Sequence, residues 1–180
     1  MRILITGSEG TLGRPLVKEL IKRGHEIYGF DLKHSKEKNI FRCNVQEFRQ
    51  LKTYYEEIFS NLKRCDVVYH LAAEFGRING EYFFEDVWKT NAIGTKNILE
   101  LQKDKGFKLI FASSSEIYGD IICDYLKEDM VPVMQNNDYA VSKWVNEIQC
   151  KNARARYGSR IMVLRFFNAY GPGEYYNEYR

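Results

Sequence analysis

Gly7, Gly10 and Gly13 recur at three-residue intervals, directly after the apolar run Arg2 to Thr6 and at the start of a helical pattern. Glycine at such positions lets the backbone turn tightly and approach a pyrophosphate with no Cβ between them, while helix N–H groups face the phosphates. Among thirteen glycines in 180 residues, chance would supply this triplet only about 0.07 times, so the turn carries information. Asp31 closes the next apolar run, 18 residues after Gly13, where a carboxylate accepts hydrogen bonds from adenosine ribose hydroxyls and repels a 2′-phosphate. A simple strand-end role for Asp31 stays open. Tyr139 and Lys143 are four residues apart, which puts a phenol and an ammonium on one face of a helix. About one such spacing is expected by chance among thirteen tyrosines, so its place in the chain matters more than its existence.

The elements that would position these groups follow from hydrophobic period. Arg2 to Thr6, Glu26 to Phe30, Val67 to Ala73, Phe107 to Ala112 and Ile161 to Phe166 read as short apolar strands. A first helix is marked by Leu12, Leu16, Val17, Leu20 and Ile21, with Pro15 in its first turn and Gly24 as its stop. Val45, Phe48, Leu51, Tyr55, Ile58 and Phe59 mark a second, and Val87, Asn91, Ile98 and Leu101 a long third. Tyr139 to Tyr157 forms another, entered through the good N-cap types Asn136, Asn137 and Asp138. Continuously apolar strands alternating with helices predict an α/β domain, a doubly wound parallel sheet of the Rossmann type. Ser113, Ser114, Ser115 and Glu116 then follow the carboxyl end of a strand, where an open α/β sheet places its ligand.

Composition narrows the function classes. The 27 basic and 24 acidic side chains leave a formal charge of +3, with 44% of residues apolar and 28% charged. A chain of this size buries roughly 70% of its unfolded surface, enough for one core without disulfide or metal staples, which excludes disorder and small secreted scaffolds. The weak, dispersed charge argues against a nucleic-acid or membrane partner. Cys43, Cys65, Cys123 and Cys150 are far apart, form no Cys-x-x-Cys pair and coincide with no histidine cluster, which predicts free thiols and no metal site. The apolar start is too short for a signal-peptide core, and no apolar run approaches the ~18 residues of a membrane span, so a cytoplasmic location is expected. His70 reads as a packed strand residue, and His25 and His34 as solvated ones. Trp88, Trp144 and the Phe83-Phe84 pair read as packing or subunit-contact residues.

The segments ITGSEGTLG at the start, DVVYHLAA from Asp66, TNAIGTKNILE from Thr90, FASSSEIYGD from Phe111, YAVSK from Tyr139 and LRFFNAYGPG from Leu164 span residues 3 to 173. Together, and in that order, they resemble the extended short-chain dehydrogenase/reductase family, specifically its NAD-dependent nucleotide-sugar epimerases and dehydratases. The resemblance implies that residues 1–173 form an NAD-binding Rossmann domain with the Ser/Tyr/Lys set. It implies that residues 174–180 begin a smaller substrate-binding region, missing or truncated here. Cofactor contacts are implied for Gly7, Gly10, Thr11, Leu12, Gly13, Asp31, Asn44 and Val45, for Leu71, Ala72 and Ala73, and for Tyr139 and Lys143. NAD is expected rather than NADP, because the glycine turn has no basic residue to hold a 2′-phosphate; Lys33 and His34 dissent. A homodimer through two long helices of each subunit is also implied.

In that family the tyrosine takes a proton from a sugar hydroxyl while the carbon beneath gives hydride to the nicotinamide. Tyr139 would be that base. An isolated tyrosine titrates near ~10, and the Lys143 ammonium and the nicotinamide cation are expected to bring it toward neutrality. Lys143 would also hold the nicotinamide ribose. Ser114 takes the place of the serine or threonine that hydrogen-bonds the reacting sugar oxygen. Ser115 and Asn168, with Arg165 just ahead of Asn168, are the implied substrate contacts, although a polar strand-end turn is the plainer reading of Ser113 and Ser115. Glu116 matches the carboxylate of the 4,6-dehydratases and nucleotide-sugar decarboxylases. Beside a newly formed ketone a C–H is acidic, and a carboxylate within reach can remove it; a solvated loop glutamate is the alternative.

Two residues depart from the family pattern. Asn44 replaces an aspartate near adenine, and Glu9 sits in a turn that normally carries small residues, so its side chain is expected to point outward. The expected function is NAD-dependent oxidation of a nucleotide-linked hexose at C4, with 4,6-dehydration first, epimerisation next, then uronic-acid decarboxylation or keto-sugar reduction. A non-catalytic NAD sensor is the alternative of another class, but a sensor has no chemical need for Ser114, Tyr139 and Lys143 together.

Overall fold

The computed structural model describes residues 1–60, 64–132, 134–172 and 174, with Asn79 described by its backbone alone. Apart from Glu174, the segment 174–180 lies outside the described residues. Among the described residues, β1 (Arg2–Thr6), β2 (Glu26–Asp31), β3 (Ile40–Arg42), β4 (Val67–His70), β5 (Lys108–Ser114) and β6 (Ile161–Phe166) form one sheet in the order β3-β2-β1-β4-β5-β6. Every neighbouring pair is parallel. Parallel neighbours need long crossovers. The helices are α1 (Gly13–Lys22), α2 (Phe48–Ile58), α3 (Arg77–Tyr82), α4 (Phe84–Val87), α5 (Gly94–Lys105) and α6 (Asp138–Tyr157). This is the predicted doubly wound Rossmann architecture.

Alternating strand residues face two separate cores. Leu4, Phe30, Val68, Leu109 and Phe111 pack under α2, α5 and α6, whereas Ile3, Ile5, Ile27 and Val67 pack under Val17 and Leu20 of α1. Burying each such side chain contributes about 1.5–3 kcal/mol, which is why the strands read as continuous apolar runs. α6 starts where the sequence places it: Asn137 Oδ1 accepts the Ala140 N–H at 2.8 Å, and Gly158 in the left-handed region (φ 63°) ends it.

Several boundaries differ from the sequence reading. β5 extends through Ser113 and Ser114, which pair with Arg165 and Phe166 of β6, so these serines belong to a strand and not to a turn. β4 stops at His70, and Val45 precedes α2 instead of lying within it. The long third helix is three pieces, α4, a π-helical turn at Trp88–Ile93, and α5. β3 and α3 had no sequence signal, being three and six residues long. α3 exists by packing: a Cβ at Gly80 would stand 2.9 Å from the Tyr139 backbone nitrogen, so only glycine lets α3 lie against the start of α6. The four thiols are free, with Cys43, Cys65 and Cys150 buried. Among the described residues no helix is long and apolar enough to cross a membrane.

Candidate active site

The chain leaves β1 toward one edge of the sheet and β4 toward the other, which opens a crevice beyond their carboxyl ends. The glycine turn lines one side. Gly7 has φ 73° and donates its N–H to Phe30 O at 2.7 Å, and a Cβ on Gly13 would fall 2.1 Å from Gly7 O, so α1 must start against the turn. Gly10 differs: a Cβ there would meet only Gly7 O, at 3.2 Å. Its remaining side is open, as a phosphate cradle requires. Thr11 and Leu12 complete the turn, and Leu12 O accepts the Leu16 N–H at 3.3 Å.

Leu71, Ala72 and Ala73 line the other side, just past β4. Leu71 N–H donates to Thr6 O at 3.1 Å and Ala72 N–H to Thr6 Oγ1 at 3.3 Å. His70 bridges Thr6 Oγ1 (2.7 Å) and Thr95 Oγ1 (3.0 Å); burial, helped by the Lys143 charge, pushes its pKa down to about 3, so it is a neutral core residue. Asp31 accepts the Glu9 N–H at 2.8 Å and the Lys33 N–H at 2.9 Å, which fixes it beside the glycine turn. Asn44 Oδ1 accepts the Gln46 N–H at 3.0 Å, shaping the approach to α2, and Val45 is buried against Gly94. Glu9 does not point outward as expected. Its side chain is 11% exposed, because Arg14 Nε sits 3.0 Å from Oε2 and pulls the carboxylate back onto α1.

Ser114 ends β5, and α6 brings Tyr139 and Lys143 over it. The Ser114 hydroxyl lies near enough to the Tyr139 phenol to favour its ionised form, and Lys143 Nζ donates to Ala112 O at 2.8 Å, 5.9 Å from the Tyr139 ring centre. Tyr139 is 9% exposed and Lys143 4%. Burial pushes the Tyr139 phenol above its ordinary range, the Ser114 side chain opposes this, and the Glu116 charge reinforces it. In the protein alone, desolvation of the phenolate thus sets the direction, before the nicotinamide cation of the expected reading is added; burial also pushes the Lys143 pKa down to about 8.

Glu116 is the second residue of a 3-10 turn, Ser115–Tyr118, and donates its N–H to Ser114 Oγ at 3.2 Å. Its carboxylate is 39% exposed yet engaged, with Arg77 Nη2 of α3 at 3.4 Å and Asn137 Nδ2 donating at 3.3 Å. Ser115 lies half-buried in the same turn. Ser113 points the other way and donates to Glu147 Oε1 at 2.6 Å, while Arg165 grips both Glu147 oxygens at 3.0 and 2.9 Å. Arg165 Nη1 also donates to Tyr118 OH at 2.9 Å and Glu128 O at 2.8 Å, so this guanidinium spends most of its donors within the fold. Asn168 is exposed on the loop beyond β6, outside the hydrogen bonds that join the cluster.

The structure thus gathers Ser114, Glu116, Tyr139 and Lys143 and leaves Asn168 apart. Sequence reasoning missed Arg77, Asn137 as a partner of Glu116, and Glu147. Only Glu147 left a trace, standing four residues after Lys143 on the same helix face. Trp88 Nε1 donates to Asp138 Oδ1 at 3.0 Å, a packing role, whereas Phe83 and Phe84 are exposed.

The sequence matches the NAD dependent epimerase/dehydratase family over residues 3–180. The chain belongs to that family. It is 30% identical over 178 residues to UDP-glucuronic acid decarboxylase 1 of Arabidopsis thaliana, covering 96% of this chain and 40% of that protein. It is 30% identical over 192 residues to UDP-N-acetyl-alpha-D-glucosaminuronate decarboxylase of Bacillus cytotoxicus, covering 95% and 55%. Among solved structures, the UDP-glucose 4-epimerase of Thermus thermophilus, in complex with NAD, superposes with a TM-score of 0.83 at 29% identity, covering 97% of this chain and 57% of that one. The chain therefore spans roughly half the length of its relatives. The open side of Gly10, the Asp31 carboxylate beside the turn and the Lys143 ammonium fit the family's cofactor, NAD.

Proposed function

We propose that this domain uses NAD to oxidise C4 of a nucleotide-linked hexose and that Glu116 then removes the C5 proton, so that the C6 hydroxyl leaves as water. What supports the reading is the meeting of Ser114, Tyr139 and Lys143 at the carboxyl end of β5, next to the glycine cradle. Bound NAD would accept the C4 hydride and return it at C6. Tyr139 takes the C4 hydroxyl proton, ionised for that step by the positive charge that bound NAD+ would bring beside it, and Ser114 holds the oxygen from which the proton comes. Lys143 has three N–H donors and spends one on Ala112 O, leaving two for a ribose. Arg77 and Asn137 hold the Glu116 carboxylate at the start of α6, where its charge reaches Tyr139. Asn168 and Ser115 contact the sugar nucleotide. A cytoplasmic homodimer formed through the outer faces of the π-helical turn and α6, where Ile93 and Ile148 are exposed, belongs to the same reading.

A second reading is decarboxylation of a nucleotide-linked uronic acid, favoured by the names of the two curated relatives. There the C4 ketone lets the C6 carboxylate leave as carbon dioxide, and a proton is returned to C5. One experiment separates the readings. The protein is incubated with NAD+ and a panel of hexose and uronic-acid nucleotides, and products are weighed by mass spectrometry. Loss of water supports dehydration, loss of carbon dioxide decarboxylation, and an isomer of unchanged mass epimerisation. Tyr139→Phe should abolish turnover and leave NAD+ binding intact; full turnover by that variant would defeat the proposal.

A further inference from the structure

Glu9 interrupts a turn of otherwise small residues, and its surroundings suggest a task. Its N–H donates to Asp31 Oδ2 at 2.8 Å, so it adjoins the carboxylate that receives ribose hydroxyls in this type of fold. Its own carboxylate is held by Arg14 Nε at 3.0 Å. Arg14 follows the third glycine directly and is the second residue of α1. An arginine near the ribose-binding acid is what accommodates a 2′-phosphate in this fold, and guanidinium and phosphate pair through two hydrogen bonds at once. Sequence alone showed no cation in the turn, but the fold brings one to its edge. An ion pair whose arginine is 44% exposed adds little to folding, so stability alone is a poor account of a glutamate here.

We propose that Glu9 is a cofactor-specificity residue: it commits the Arg14 guanidinium to an internal ion pair, so that NAD is accepted and its 2′-phosphorylated counterpart rejected. Lys33, His34 and Arg42 border the same edge, with Arg42 Nη1 3.4 Å from His34 Nε2. Their pull on a 2′-phosphate is what Asp31 opposes, and the Glu9 pair keeps Arg14 from adding to it. The proposal does not depend on which sugar is the substrate.

The test is calorimetric titration of the purified protein with NAD+ and with NADP+. Glu9→Gln should tighten NADP+ binding about tenfold, the order expected for removing one charge and releasing another beside a phosphate at an effective dielectric of ~20 to 40. NAD+ affinity should move by less than about threefold, which also reports an intact site. In Glu9→Gln/Arg14→Gln most of the gain should vanish. Unchanged selectivity in Glu9→Gln, or a gain that survives in full in the double variant, would overturn the proposal. Should Glu9→Gln fail to fold, Arg14→Gln serves instead. It leaves the Glu9 charge uncompensated and should weaken NADP+ further at constant NAD+ affinity; no change in NADP+ affinity would refute the idea equally.

Discussion

Lys143 offers the sharpest check on the electrostatics of the site. Its ammonium is 4% exposed, bonded to Ala112 O, and its pKa is pushed by burial from 10.5 down to about 8. The unfolded chain therefore binds this proton more tightly than the folded one. Below pH 8 both states are protonated and the fold bears the full penalty of a buried charge, about 3 kcal/mol for such a shift. As pH rises from 8 to 10.5 the folded lysine is neutral while the unfolded one still carries a proton, so stability climbs. Between about pH 7.5 and 9.5 this group alone should add about 2 kcal/mol. Lys143→Met removes the titration. Urea denaturation of both proteins across that range should show the wild type gaining about 2 kcal/mol relative to the variant, with Lys143→Met the more stable near neutrality unless loss of the Ala112 bond, worth about 1 kcal/mol, offsets part of the gain. Parallel pH dependences in the two proteins would refute the claim that Lys143 is charged and desolvated in the fold. The variant should also lose turnover, since the donors meant for ribose go with the amine.

Two further contrasts test the cradle and the support behind it. Gly13→Ala places a methyl 2.1 Å from a backbone oxygen and should cost on the order of 3 kcal/mol in urea melts, whereas Gly10→Ala, at 3.2 Å, should cost less than about 1 kcal/mol. Gly10→Ala should nevertheless weaken NAD+ about tenfold in a titration, because its methyl fills the open side of the turn; wild-type affinity would contradict the cradle. Arg165→Met leaves the buried Glu147 carboxylate without its partner and should destabilise by about 3–5 kcal/mol, most of which Arg165→Met/Glu147→Leu should restore. If the double variant is no more stable than the single one, the ion pair is not the source of the loss.

The parts of this protein legible in its sequence are those governed by local geometry. The Gly7-Gly10-Gly13 turn, the five longer strands and the shared face of Tyr139 and Lys143 depend on periods of two and 3.6 residues and on where a Cβ is tolerated, which neighbours in the chain already specify. β3 and α3 were invisible because three and six residues carry too little pattern, and packing alone makes them form. What only the tertiary structure decided is the electrical and hydrogen-bonding state of the site. Burial, not the nearby lysine, sets the direction of the Tyr139 pKa; β6 draws Ser113 and Ser114 into a strand; Glu116 meets Arg77 across 39 residues and Asn137 across 21. Desolvation and long-range hydrogen bonds depend on distances that no local spacing encodes. For that reason the residue types of the site could be read in advance, but not their partners or protonation energies.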